Sequence, residues 1–112
     1  MGLGLYQRSW GLDIEQSLNA LADGNRLRIV QIIARENAIC ARDLLKELDI
    51  TQPTLSHHMK ALVSCGLVTG TKKGRWCYYS IDSAHARDLA DFMNGIAELA
   101  ARRESAQNVA AR

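Results

Sequence analysis

The sequence predicts a mostly α-helical chain with one small β-hairpin. Two observations carry that fold class, and a third bears on what it is for. Apolar residues recur at helical spacing in five separate segments. Two β-favouring runs, Leu67-Val68 and Trp76-Cys77-Tyr78-Tyr79-Ser80-Ile81, flank a turn rich in Gly, Thr and Lys. The 32 residues from Ile50 to Ile81 contain no Asp and no Glu, although twelve acidic residues occur elsewhere.

The first helix is expected from Asp13 to Ala22, where Ile14, Leu18 and Leu21 share a face. Asp23-Gly24-Asn25 interrupts it, with Gly24 as the stop and Asn25 as N-cap of the next helix. That second helix, about Arg26 to Arg35, is expected to bury Leu27, Val30, Ile33 and Ala34. Ala38-Ile39-Cys40 suits a short strand-like bridge, and Ala41 to Leu48 resumes helical spacing through Leu44, Leu45 and Leu48. Asp49-Ile50-Thr51 is a break. Thr51 can cap a fourth helix in which Pro53 lies early, where its missing N–H has no intrahelical partner to lose. This helix runs to about Ser64 and stops at Gly66. After the hairpin, Ser83 to about Arg102 forms a last amphipathic helix with Leu89, Met93, Ile96 and Ala100 on one stripe, widened by Phe92 and Leu99. From Arg103 onward the tail is expected to fray.

The order is α-α-(β)-α-α-β-β-α. Two helices joined by a tight break and followed by a β-hairpin make a winged helix-turn-helix. With 112 residues there is room for one domain, 1–112, whose core spans 13–102. The ends, 1–12 and 103–112, are expected to be flexible or associated with a dimer. No run approaches the ~18 apolar residues of a membrane span. The N-terminus lacks the basic-then-apolar layout of a secretory signal, so a cytoplasmic location is expected. Three widely spaced cysteines, Cys40, Cys65 and Cys77, fit free thiols in a reducing compartment better than disulfides.

Charge then points to a partner. Lys60, Lys72, Lys73 and Arg75 give the acid-free window about four positive charges, while the other 80 residues hold ten basic against twelve acidic residues. A surface laid against a polyanion needs this separation, because each carboxylate there would repel phosphate. With Leu55 at zero on a helical wheel, Met59 and Leu62 fall within about 40° of it and form the buried stripe. Ser56, His57, Lys60 and Ser64 point away. This face is small and polar, able to enter a major groove and read base edges. Gln52 and Thr54, at the helix N-terminus, lie where base contacts usually occur, and His58 falls at the buried boundary. Thr71, Lys72, Lys73 and Arg75 at the hairpin suit flanking phosphates or the minor groove.

The runs Leu21-Ala22-Asp23-Gly24-Asn25-Arg26-Leu27-Arg28-Ile29-Val30 and Thr51-Gln52-Pro53-Thr54-Leu55-Ser56-His57-His58-Met59-Lys60-Ala61-Leu62 closely resemble the ArsR/SmtB repressors. Cys65-Gly66-Leu67-Val68 and Gly74-Arg75-Trp76-Cys77-Tyr78-Tyr79-Ser80-Ile81 continue the resemblance, which covers roughly residues 13 to 100. It implies a homodimer that binds double-stranded operator DNA, blocks transcription and is released by an effector, often a metal or metalloid ion. The sequence supports the dimer separately. The first and last helices carry more apolar surface than one small core can bury, and a two-fold dimer would set two recognition helices about 34 Å apart.

The effector is less legible. One sensing site of the family has the spacing Cys-x-Cys-Asp-x-Cys, whereas this chain reads Cys40-Ala41-Arg42-Asp43-Leu44-Leu45. Cys40 and Asp43 remain; Arg42 and Leu45 replace two thiols. Arsenite, antimonite or another thiophilic ion favours several thiolates. A second family site, Asp-x-His on the last helix, is approached by Asp82 and His85 out of register and without a later histidine. Convergence of Cys40, Cys65 and Cys77 is a third possibility, with Cys40 and Cys77 brought together by pairing of the bridge with the second hairpin strand. The alternatives are that all three cysteines are small core hydrophobes, or that Cys40 is a thiol sensor. A family member without a metal site, answering another ligand or acting through protein contacts, is the rival reading. An enzyme is not supported: there is no phosphate loop, no nucleophile motif and no paired carboxylate cleft.

Overall fold

The computed structural model describes the backbone of residues 11–110 and the side chains of 14–107. Along it run α1 (Gly11–Leu21), α2 (Gly24–Glu36), β1 (Ile39–Cys40), α3 (Ala41–Lys46), α4 (Gln52–Ser64), β2 (Val68–Lys73), β3 (Trp76–Ile81) and α5 (Ser83–Ala110). The expectations for residues 1–10 fall outside the described residues. The architecture is the winged helix-turn-helix anticipated from the sequence, mostly helical with a small antiparallel sheet.

Local chemistry sets most boundaries. Asp23, in extended conformation, caps α2 by accepting the backbone N–H groups of Asn25 and Arg26. The cap is therefore Asp23, not Asn25, because Gly24 lets the helix begin two residues earlier than expected. Thr51 caps α4 through the N–H of Thr54, with Pro53 in the first turn. Helix α3 stops at Lys46 rather than Leu48. The tail expected to fray after Arg102 continues as helix to Ala110. Nothing in Arg103-Glu-Ser-Ala-Gln-Asn-Val-Ala breaks a helix, and its alanines favour one.

The sheet order is β1-β3-β2, all antiparallel. Ile39 pairs with Tyr79 and Cys40 with Tyr78, while β2 and β3 pair from Val68–Ile81 out to Lys73–Trp76. The hairpin turns through two residues, Gly74 and Arg75. Gly74 takes φ +63°, as such tight turns require at their first position.

The core lies between α2, α3, α4 and the root of the wing. Ile29, Ile33, Leu44 and Leu62 are fully enclosed, with Ile32, Ile39, Leu55, Met59, Leu67 and Val68 around them. Two helices are rotated from the expected faces. In α2 the buried residues are Ile29, Ile32 and Ile33, and Leu27 is 50% exposed, with Ala34 also outside. In α1, Ile14, Ser17 and Ala20 face inward, and Leu18 is 45% exposed. Both helices carry two overlapping apolar stripes, so spacing alone does not choose between them. Packing chooses the β-branched stripe in α2, and in α1 it chooses the stripe whose one polar member, Ser17, finds a hydrogen-bond partner.

Candidate nucleic-acid interface

Helix α4 keeps Leu55, His58, Met59 and Leu62 inward and leaves Gln52, Thr54, Ser56, His57 and Lys60 exposed. The inward stripe follows from 3.6-residue periodicity, and the outward side is polar and short. His58 is buried, and its Nδ1 accepts a hydrogen bond from Arg26 Nε at 2.9 Å. That bond braces α2 against α4 and consumes the imidazole that the sequence placed at the boundary. His57, next in sequence, is free of this role and exposed.

The wing carries Thr71, Lys72, Lys73 and Arg75, all exposed. Strand alternation sends the two lysines to opposite faces. Lys72 pairs with Cys77 on the face shared with Gly70 and Tyr79, which is turned towards α4. Lys73 lies on the other face, its Nζ 5.8 Å from the centre of the Tyr78 ring. Among the described residues, ion pairs involve only Arg35 with Glu36 and Glu47, and Lys46 with Asp43. Lys60, Lys72, Lys73 and Arg75 therefore carry charge that no described carboxylate pairs, on α4 and on both faces of the wing.

Two residues that sequence reasoning did not connect meet beside this surface, outside the set assigned to DNA. The Arg42 guanidinium of α3 lies 5.3 Å from the centre of the Trp76 ring at the base of the wing tip. The two are 34 positions apart in sequence, and no local spacing signals their contact. Between α3, α4 and β3 opens a cavity of about 420 Å³, lined by residues that include Arg42, Leu45, Leu55, Met59, Arg75 and Trp76. Tyr79 also borders it. Burial, with a smaller contribution from Cys77, pushes the Tyr79 phenol up to about 12, so it stays neutral.

The cysteines do not converge. Cys40 pairs with Tyr78, so it shares that face of the sheet, whereas Cys77 belongs to the opposite face. Strand alternation thus keeps Cys40 apart from Cys77 and removes convergence from the alternatives. The Cys40 thiol donates to Asp43 Oδ2 at 3.2 Å, and this bond is the main cause that holds the Asp43 carboxyl below its usual range, Lys46 adding to it. Cys65 closes α4, buried, its thiol on the carbonyl of Leu62. His85 bonds to Ser17, and its backbone N–H donates to Asp82. Among the described residues no three His, Cys, Asp or Glu side chains gather as a metal site. A trivalent metalloid needs several thiolates, and Arg42 and Leu45 occupy the places where two of them would stand, so these residues do not fit that ligand. Likewise, no described helix is long and apolar enough to cross a membrane.

Against this geometry, comparison with known proteins gives a consistent result. The family described as bacterial regulatory protein, arsR family, matches residues 23–69, from the cap of α2 into β2. The arsenical resistance operon repressor of Bacillus subtilis (strain 168) is 36% identical over 75 residues, spanning 67% of this chain and 71% of that protein. Its counterpart in Staphylococcus aureus is 38% identical over 82 residues, 73% of this chain and 78% of that one. Among solved structures, an ArsR-like transcriptional regulator from Rhodococcus sp. RHA1 superposes with a TM-score of 0.72 at 27% identity, covering 85% of this chain and 89% of that one.

Proposed function

This chain belongs to the ArsR family of bacterial regulatory proteins, and on that premise we propose that it represses transcription by binding operator DNA as a homodimer. The observation that carries the proposal is the uncompensated basic and polar surface shared by α4 and the wing. In this reading α4 lies in the major groove. Gln52, Thr54, Ser56 and His57 face base edges, and Lys60 takes a guanine or a phosphate. Thr71, Lys72, Lys73 and Arg75 hold the flanking backbone, positioning the helix without reading sequence.

The whole chain acts as one winged helix-turn-helix domain. Dimerisation through α1 and α5 is supported by Leu18, Met93, Ile96 and Leu99, each about half exposed. Isolated large apolar residues on a surface are common, but Met93, Ile96 and Leu99 recur every third residue along α5, a row that a second copy would cover. A two-fold pair would present recognition helices about 34 Å apart to a palindrome. The site of action is the cytoplasm, where operator DNA lies.

For the effector, the ligand chemistry favours a member of the family that does not use a three-thiolate metalloid site. Cys40 is the remaining thiol candidate, and its donor set, one thiol beside one aspartate, is too small for arsenite or antimonite.

The test is salt titration of binding to a palindromic duplex. Phosphate contacts release counterions, so affinity should fall steeply and linearly in a double-logarithmic plot. A winged helix that works through protein contacts alone would show no such duplex binding.

A further inference from the structure

We propose that the cavity between α3, α4 and β3 is a binding site for a small aromatic carboxylate, and that its occupancy competes with DNA. The proposal rests on the DNA-binding reading for its consequence, but not for the site itself.

Volume comes first. At about 420 Å³ the cavity falls within the ~300–1,000 Å³ usual for small-molecule sites. Its lining divides into two parts. Leu45, Leu55 and Met59 make an apolar floor, with Leu55 and Met59 belonging to the buried core. Trp76 also lines it, 40% exposed, with the Arg42 guanidinium 5.3 Å from the centre of its ring, so ring and cation adjoin the apolar floor. Charge then selects among apolar ligands. Two arginines, Arg42 and Arg75, are among the lining residues, and no Asp or Glu is. Neither arginine is ion-paired among the described residues. Arginine binds a carboxylate through a planar fork of donors, which gives orientation as well as attraction. With Tyr79 held neutral, nothing in the lining opposes an anion. A flat apolar body with one carboxylate satisfies floor, ring and guanidinium together. Inorganic phosphate satisfies only the last.

The regulatory consequence follows from shared residues. Gln52, Ser56 and Arg75 line the cavity and also belong to the proposed DNA surface. A molecule seated there occupies these groups and fills the space between helix and wing. It therefore binds the free protein better than the complex, and by linkage it weakens the operator complex by the same factor. Arg42, by contrast, serves the cavity and is not assigned to DNA.

The experiment is calorimetric titration of the DNA-free protein with 1-naphthoate, benzoate, 1-naphthylmethanol and inorganic phosphate, repeated with Arg42→Gln and Arg42→Lys. A saturable site is expected for an aromatic carboxylate. 1-Naphthylmethanol and phosphate should bind at least about tenfold more weakly, and Arg42→Gln should cost about tenfold, since it removes a charge-assisted bond. Arg42→Lys should recover part of that loss. The carboxylate should also weaken the operator complex of the native protein, while Arg42→Gln leaves DNA affinity within about twofold when no ligand is present. Equal binding of 1-naphthylmethanol, equal binding of phosphate, an unaffected Arg42→Gln, or no saturable heat from either carboxylate each overturns the site. Absence of any operator complex would instead sink the DNA reading, and the titration of free protein would still decide the cavity.

Discussion

Ser17 Oγ and His85 Nε2 are joined by a 2.8 Å hydrogen bond across 68 residues of sequence, fastening α1 to the first turn of α5. The same imidazole lies against Gly66, where α4 ends with φ +89°. A side chain there would bring its Cβ to 3.0 Å from His85 Cε1. The two helices proposed to dimerise and the end of the helix proposed to read DNA therefore meet on one ring.

Removing that bond should weaken the fold. Ser17 is fully buried, so Ser17→Ala leaves a ring nitrogen without its partner and should cost about 1–3 kcal/mol in denaturant unfolding. Combined with His85→Ala, the double variant should cost less than the sum of the two. Strict additivity would mean that the hydrogen bond contributes nothing.

The wing should matter for DNA and not for stability. Replacing both Lys72 and Lys73 with Glu should weaken duplex binding strongly and reduce the salt slope by about two, one for each phosphate no longer held. The thermal midpoint should stay within about 2 °C, since both residues are exposed. Retained affinity in a mobility-shift titration would remove the wing from the interface.

Charge placed on the apolar patch should separate the protomers. Met93→Glu with Ile96→Glu, both at half-exposed positions of α5, should yield a monomer by light scattering and lose tight binding to a two-site palindrome. A dimer that survives both changes would place the interface elsewhere.

Acid should act partly through Asp23. Its carboxylate is held below the ordinary value chiefly by the backbone N–H of Arg26. A depressed folded-state pKa contributes stability that is present above the unfolded value and lost as pH falls through the folded one. Asn also caps helices but does not titrate, so Asp23→Asn should lose less thermal stability than the native protein between about pH 5 and pH 3. Parallel curves would show that the carboxylate charge at this cap is irrelevant.

Arsenite should leave the operator complex intact, because Cys40, Cys65 and Cys77 occupy three separate environments. Should arsenite release the DNA, Cys40→Ser decides the matter. A variant that no longer responds would make Cys40 the sensor despite its small donor set.

Much of this protein is written in local sequence. Proline in the first turn, Thr51 before it and Gly66 after it delimit α4, and two β-favouring runs around a Gly-, Thr- and Lys-rich stretch announce the wing, although most of that stretch is strand β2 and the chain turns only at Gly74-Arg75. These signals are short-range, resting on backbone sterics and on hydrogen bonds within a few residues. The polar side of α4 was legible for the same reason, since one buried stripe fixes the opposite face. The acid-free window needed only a count. The rest depends on partners distant in the chain. Which of two apolar stripes α1 and α2 turn inward was settled by the neighbours they pack against, which left Leu18 and Leu27 outside. Strand alternation across the β1–β3 register parted Cys40 from Cys77. Arg42 met Trp76, and His85 met Ser17, only because the fold brought them together. Periodicity states how strongly a helix wants to bury a face; only tertiary packing, which weighs all faces at once, decides which face is buried and what cavity remains between them.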